Sequence, residues 1–63
     1  MKLPKNSKKI LCFKHKDTWY QIVEDRDKYI LYRCGATESD YEMLGTGNTP
    51  PKLEKRVYTG ELK

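Results

Sequence analysis

Residues 9–34 read KILCFKHKDTWYQIVEDRDKYILYRC, and they contain the strongest secondary-structure signal in the chain. It contains three runs rich in aromatic and β-branched residues, at positions 9–15, 18–24 and 28–34, and short charged segments separate them. Runs of this composition, bounded by turn-forming residues, are typical of strands joined as consecutive hairpins. We therefore predict three antiparallel strands that follow one another in the sheet.

The chain after Cys34 is more polar and predicts less regular structure. Residues 40–45 favour a short fourth strand, although Ser39 and Glu42 have the spacing of a helix capping box and leave one helical turn as the alternative. Residues 46–51 are expected to form an irregular loop, because a proline pair cannot join a central strand. Residues 55–59 then predict a fifth strand at the edge.

These elements predict a mostly β fold in a single domain, since 63 residues are close to the lower limit for an independent core. We expect an antiparallel meander of four to five strands, strongly curved or forming a small open barrel, and similar in size to SH3-like or OB-like domains. Residues 9–59 form this domain. Residues 1–8 are expected to be a basic, flexible arm, and residues 60–63 a frayed end.

Alternation along the strands predicts which side chains share a face. If Lys16 and Asp17 form a two-residue loop, Phe13 pairs with Tyr20 and Leu11 with Ile22. If the loop between the second and third strands also has an even length, one face is almost wholly apolar and should form the core; it contains Leu11, Phe13, Tyr20, Ile22, Tyr29 and Leu31, with His15 and Arg33 at its ends. The other face is mixed, and it contains Ile10, Cys12, Lys14, Trp19, Gln21, Val23, Ile30, Tyr32 and Cys34. An odd loop length would exchange the faces of a whole strand.

The net charge of +4 is unevenly distributed. Every charged residue before Asp17 is a lysine, whereas acids outnumber bases between Asp17 and Gly45. This asymmetry favours an anionic partner only weakly, because a basic arm also serves solubility. No apolar run is long enough to cross a bilayer, and the basic start lacks the apolar segment of a secretory signal. We expect a cytoplasmic protein without a membrane partner.

The candidate catalytic and metal-binding groups do not converge. Cys12 and His15 have a Cys-x-x-His spacing, but residues three apart on a strand point to opposite faces, so they cannot share a metal or form a nucleophile pair. Cys12 and Cys34 share a face with a strand between them, which is too far for a disulfide, and we expect them to be small buried residues. The sequence predicts a non-enzymatic protein without cofactor or metal, and an exposed His15.

The remaining candidate site is the mixed face. We predict a binding site made of Lys14, Trp19, Gln21 and Tyr32, with Lys16 and Lys28 at its rim. Trp and Tyr are favoured anchors in protein interfaces, so a protein partner ranks first and a second copy of the chain is one such partner. The alternative is a nucleic-acid-binding module that stacks bases on Trp19 and Tyr32. A third interpretation is structural: the rings of Trp19 and Tyr32 pack under the C-terminal segment and bind no partner.

Overall fold

A computed structural model describes residues 7–60 of the protein. The strands are β1 (Lys8–His15), β2 (Thr18–Asp25), β3 (Lys28–Arg33) and β4 (Glu42–Gly47); a 3-10 turn (Glu38–Asp40) precedes β4, and a helix α1 (Pro50–Thr59) follows it. The strands form one antiparallel sheet in the order β1-β2-β3-β4, which does not close on itself. The predicted mostly β meander is confirmed. Residues 1–6 and 61–63, which include most of the predicted arm and frayed end, lie outside the described residues.

The first hairpin has the predicted register. Lys16 and Asp17 form a two-residue loop, in which both residues have positive φ values of 51° and 64°. Positive φ at both central positions belongs to the type I′ turn, whose twist matches that of the flanking strands. Phe13 consequently pairs with Tyr20, as the sequence predicts.

The second hairpin keeps the same parity. Asp25 pairs with Lys28, so Arg26 and Asp27 form another two-residue loop. Arg26 has a φ of 62°, the left-handed conformation that a first loop residue adopts in a tight hairpin. Because the loop length is even, Leu31 lies opposite Ile22 and the apolar side chains of three strands share one face.

Two irregularities bend the edges of this sheet. The register of β1 against β2 shifts between Lys9 and Leu11, and that of β3 against β4 shifts between Leu31 and Tyr32. The extra residues are Ile10 in β1 and Leu44 in β4. A bulge of this kind increases the local twist and curvature of the strand that contains it. Both edge strands are therefore bent, as expected for a strongly curved meander.

The predicted fifth strand at residues 55–59 is wrong, because this segment belongs to α1. The proline pair starts the helix instead of interrupting a strand, since the first helical positions need no N–H donor. Leu53 and Val57, four residues apart, are both buried against the sheet. Gly60 ends the helix with a φ of 77° and donates its N–H to the carbonyls of Arg56 and Val57.

The expected loop at residues 46–51 is correspondingly shorter. Thr46 and Gly47 complete β4, and Pro50 is already helical, so only Asn48 and Thr49 connect the two elements. Gly47 has a packing role here. A Cβ atom at this position would lie 3.1 Å from the Leu53 side chain, so the absence of a side chain lets α1 approach β4 closely.

The main core lies between α1 and the predicted apolar face. Its buried members are Phe13, Ile22, Leu31, Leu53 and Val57, and its half-buried neighbours are Leu11, Tyr20, Tyr29 and Leu44. A second, smaller cluster lies on the opposite face, where Tyr41 packs against Val23, Ile30 and Tyr32. Among residues 7–60, no helix has both the length and the apolar character needed to cross a bilayer.

Candidate functional site

The helix covers one face of the sheet, and we call the opposite side the open face. The strand pairings place four predicted site residues there in two adjacent rows, with Lys14 opposite Trp19 and Gln21 opposite Tyr32. β4 extends the second row, because Met43 pairs with Tyr32. The open face therefore brings these side chains together in the predicted order.

Trp19 is the most exposed large apolar residue of this region, with 51% of its surface accessible. Its backbone is fixed by the hairpin and by the Cys34 amide, which donates a 2.8 Å hydrogen bond to the Trp19 carbonyl. Beside the indole is a cleft of about 440 Å³. We call it the tryptophan cleft; its lining residues are Cys12, Asp17, Thr18, Trp19, Cys34, Gly35 and Tyr41.

Tyr32 and Gln21 do not share this exposure. Tyr32 is only 2% exposed, and its ring centre lies 6.5 Å from that of Tyr41. Burial raises the pKa of the Tyr32 hydroxyl, and the negative charge of Asp25 adds to the effect. Gln21 is also buried and accepts a hydrogen bond of 3.5 Å from the Tyr41 hydroxyl. Gln21 and Tyr32 are therefore buried beneath the surface of the open face. Trp19 is exposed on that face, and Tyr32 is not exposed beside it as a second stacking surface.

The predicted lysines lie at different distances from the indole. Lys14 is beside it, with its ammonium 3.8 Å from the Asp17 carboxylate across the first hairpin. Lys16 is exposed within that same turn. Lys28 lies at the opposite end of the sheet, where it lines a different cleft. Lys14 and Lys16 thus belong to the hairpin that contains Trp19, and Lys28 does not; none of the three lysines lines the tryptophan cleft.

The open face contains two further apolar side chains, Met43 and Tyr41, that were not among the predicted site residues. Met43 is 47% exposed beside the buried Tyr32, and Tyr41 forms one wall of the tryptophan cleft. Cys12, which we expected to be buried, is an exposed free thiol in the same cleft, while Cys34 is half-buried. The register of Met43 depends on the loop before β4 and on the shift between Leu31 and Tyr32, so strand alternation alone does not identify it. The position of Tyr41 follows a loop whose path the alternation pattern does not determine.

His15 lies away from the cysteines, as the strand parity predicts. Its ring contacts Tyr58 of α1 edge-on, with a centroid distance of 4.9 Å, so it is half-buried and not the exposed imidazole that we expected. Within residues 7–60, no three His, Cys, Asp or Glu side chains are grouped closely enough to hold a metal ion. The chemistry that the open face offers is apolar contact and hydrogen bonding.

Comparison of this chain with protein-family descriptions, with curated proteins and with solved structures finds no match in any of the three.

Proposed function

We propose that this chain is a small, non-enzymatic interaction module that binds a partner protein through the tryptophan cleft and the open face around it. The observation that supports this proposal is the half-exposed Trp19, held on a rigid strand beside a cleft. We also propose a cytoplasmic location, because the free thiols of Cys12 and Cys34 stay reduced in the cytoplasm.

The energetic argument starts from the exposed surface. A fully buried tryptophan removes up to roughly 250 Å² from water, so the 51% of Trp19 that remains exposed corresponds to about 125 Å². At about 25 cal/mol per Å², covering this surface contributes about 3 kcal/mol. Met43 adds a second exposed apolar side chain on the same face. Trp and Met are both enriched in protein interfaces, where one large anchor often dominates the affinity.

The same geometry favours a protein partner over a nucleic acid. Base stacking on a sheet uses several exposed rings, but Tyr32 is buried beneath the surface. A carboxylate also enters the site, because Asp17 lines the cleft and lies 3.8 Å from the Lys14 ammonium group. A phosphate backbone would meet that carboxylate, whereas a peptide amide or hydroxyl can donate a hydrogen bond to it.

The test compares Trp19→Ala with Tyr58→Ala, which removes an aromatic ring of nearly equal exposure (49%) from the helix side of the molecule. The tagged wild type and both variants are incubated with an extract of the producing cells, and captured proteins are quantified by mass spectrometry. We expect a partner retained by the wild type and by Tyr58→Ala and reduced at least tenfold by Trp19→Ala, since hot-spot residues contribute about 2 kcal/mol or more. Circular dichroism verifies that each variant is folded.

A titration with a single-stranded oligonucleotide separates the two partner classes. Trp19 is the sole tryptophan, so its emission reports binding at this cleft directly. We expect no quenching at low or at moderate salt. Quenching that weakens as salt rises would contradict the proposal and assign the open face to nucleic acid.

A second copy of the chain is the remaining protein partner to distinguish. Sedimentation velocity across a wide concentration range measures the oligomeric state. A dimer that Trp19→Ala disrupts would identify the partner as a second copy, because both subunits would contribute the same face. A monomer at every concentration assigns the face to a different protein.

A further inference from the structure

A second cleft lies at the other end of the sheet, between the end of β4 and the start of α1. It has a volume of about 390 Å³. We call it the basic cleft; its lining residues are Lys28, Thr46, Gly47, Asn48, Lys52, Leu53 and Arg56. None of these residues takes part in the open face around Trp19, so an inference drawn here does not depend on the proposed function.

Three cations from two elements converge on this cleft. Lys52 and Arg56 are four residues apart and therefore lie on the same side of α1, while Lys28 comes from the first position of β3. Among residues 7–60, no carboxylate lines the cleft, and no carboxylate lies within 4.0 Å of the Lys28 or Lys52 ammonium group.

The fold holds these groups in place. Arg56 donates a 3.5 Å hydrogen bond from Nη1 to the Thr46 carbonyl, which directs the guanidinium toward β4. Gly47 allows the close approach of α1, because a Cβ there would meet the buried Leu53 at 3.1 Å. The packing of α1 against β4 therefore forms the cleft and positions its lining residues.

We propose that the basic cleft binds a diphosphate group, either as free diphosphate or as part of a small nucleotide. The convergence of Lys28, Lys52 and Arg56 on one cleft suits a group with several negative charges. Guanidinium offers paired N–H donors to phosphate oxygens, and Lys adds a point charge. Thr46 and Asn48 add polar groups to the lining, among them the Thr46 carbonyl that accepts the hydrogen bond from Arg56. The volume falls within the range of small-ligand sites, which is about 300–1,000 Å³.

The test uses a matched pair of charge-neutralising variants on one helix. Lys52→Gln removes a cation from the cleft, and Lys55→Gln removes one from an exposed position of α1 that does not line it. Binding of pyrophosphate and of ADP is followed by amide NMR shifts of Gly47 and Asn48 and by calorimetry, at an ionic strength held constant with NaCl. We expect saturable binding, weakened about tenfold by Lys52→Gln and less than twofold by Lys55→Gln.

Arg56→Gln provides a second variant, and its melting temperature verifies that the fold survives loss of the contact with Thr46. We expect it to weaken binding at least as much as Lys52→Gln. Tighter binding of ADP than of pyrophosphate identifies a nucleotide, and equal binding identifies free diphosphate as the ligand. The proposal is overturned if Lys55→Gln weakens binding equally, if NaCl alone produces the same shifts, or if only an oligonucleotide binds.

Discussion

Truncation of Leu53 to alanine tests the feature that sequence reasoning missed, the packing of α1 onto the sheet. Leu53 is completely buried and contacts the core residues Phe13, Ile22 and Leu31 as one cluster. The change removes three carbon atoms, which at about 0.8 kcal/mol each amounts to about 2.4 kcal/mol of transfer free energy. The cavity left behind adds about 1 kcal/mol, so the expected loss is about 3–4 kcal/mol.

That loss is large for a chain of 63 residues. At about 0.05–0.15 kcal/mol per residue, the whole domain has a stability of about 3–9 kcal/mol. Leu53→Ala should therefore lower the melting temperature by more than about 12 °C or unfold the protein, since 1 kcal/mol corresponds to about 4–8 °C in a small domain. Lys55→Ala, an exposed position of the same helix, should change stability by less than about 0.5 kcal/mol.

Urea denaturation measures both variants with two probes. Trp19 emission reports the open face, and circular dichroism at 222 nm includes the helix on the opposite side. If the domain is one cooperative unit, the two transitions coincide and shift together. If Leu53→Ala lowers the free energy of unfolding by less than about 1 kcal/mol, α1 does not complete the core. The same conclusion follows if the helical signal is lost while the Trp19 transition is unchanged.

Two further predictions concern the turns and alkaline pH. Asp17→Gly should stabilise the fold by about 0.5–1 kcal/mol, because the turn requires a positive φ at this position. Asp27 does not have a positive φ, so Asp27→Gly should destabilise the fold. Midpoints of urea denaturation measure both effects. Burial and Asp25 raise the pKa of Tyr32, so the unfolded chain loses this proton first and stability should fall as pH rises above 10. Tyr32→Phe should flatten that decline relative to the wild type in midpoints measured from pH 8 to 11, and an unchanged slope would contradict the assignment.

The three hairpin strands were predictable because their physics is local. Period-two alternation fixed the two faces, and two charged two-residue loops preserved the parity from Phe13 through Ile22 to Leu31. The edge bulges were not predictable, since an extra residue such as Ile10 fits the alternation pattern equally well until the partner strand is known.

The helix was missed although its signals are present in the sequence. A proline pair breaks a strand, but prolines are also favoured at the first positions of a helix. Apolar residues four apart, Leu53 and Val57, follow the pair, and Gly60 lies where a helix would end. A β-branched and aromatic pair at Val57 and Tyr58 favoured a strand by intrinsic propensity. Burial of Leu53 and Val57 on one helical face outweighs that preference, because tertiary packing decides such short segments.

The face on which each candidate site residue lies follows from the strand register, whereas its exposure also depends on a loop. Trp19 and Lys14 follow directly from the hairpin register, and both lie at the surface as expected. Tyr32 shares their face but is covered, since the segment before β4 brings Tyr41 against it. The path of residues 34–41 has no periodic signal, so alternation places Tyr32 on the correct face and cannot report its exposure.

The two clefts lie at opposite ends of the sheet, and this separation determines how the two proposed ligands would influence each other. Trp19 and Asp25, the partner of Lys28, are six residues apart on one strand, which is about 20 Å at about 3.3 Å per residue. That distance exceeds two Debye lengths at physiological salt, so the charge of the basic cleft contributes little at the indole. Any coupling must act through the shared core. We expect each proposed ligand to bind only the folded state and so to stabilise the whole domain, and we expect their effects on the melting temperature to be independent.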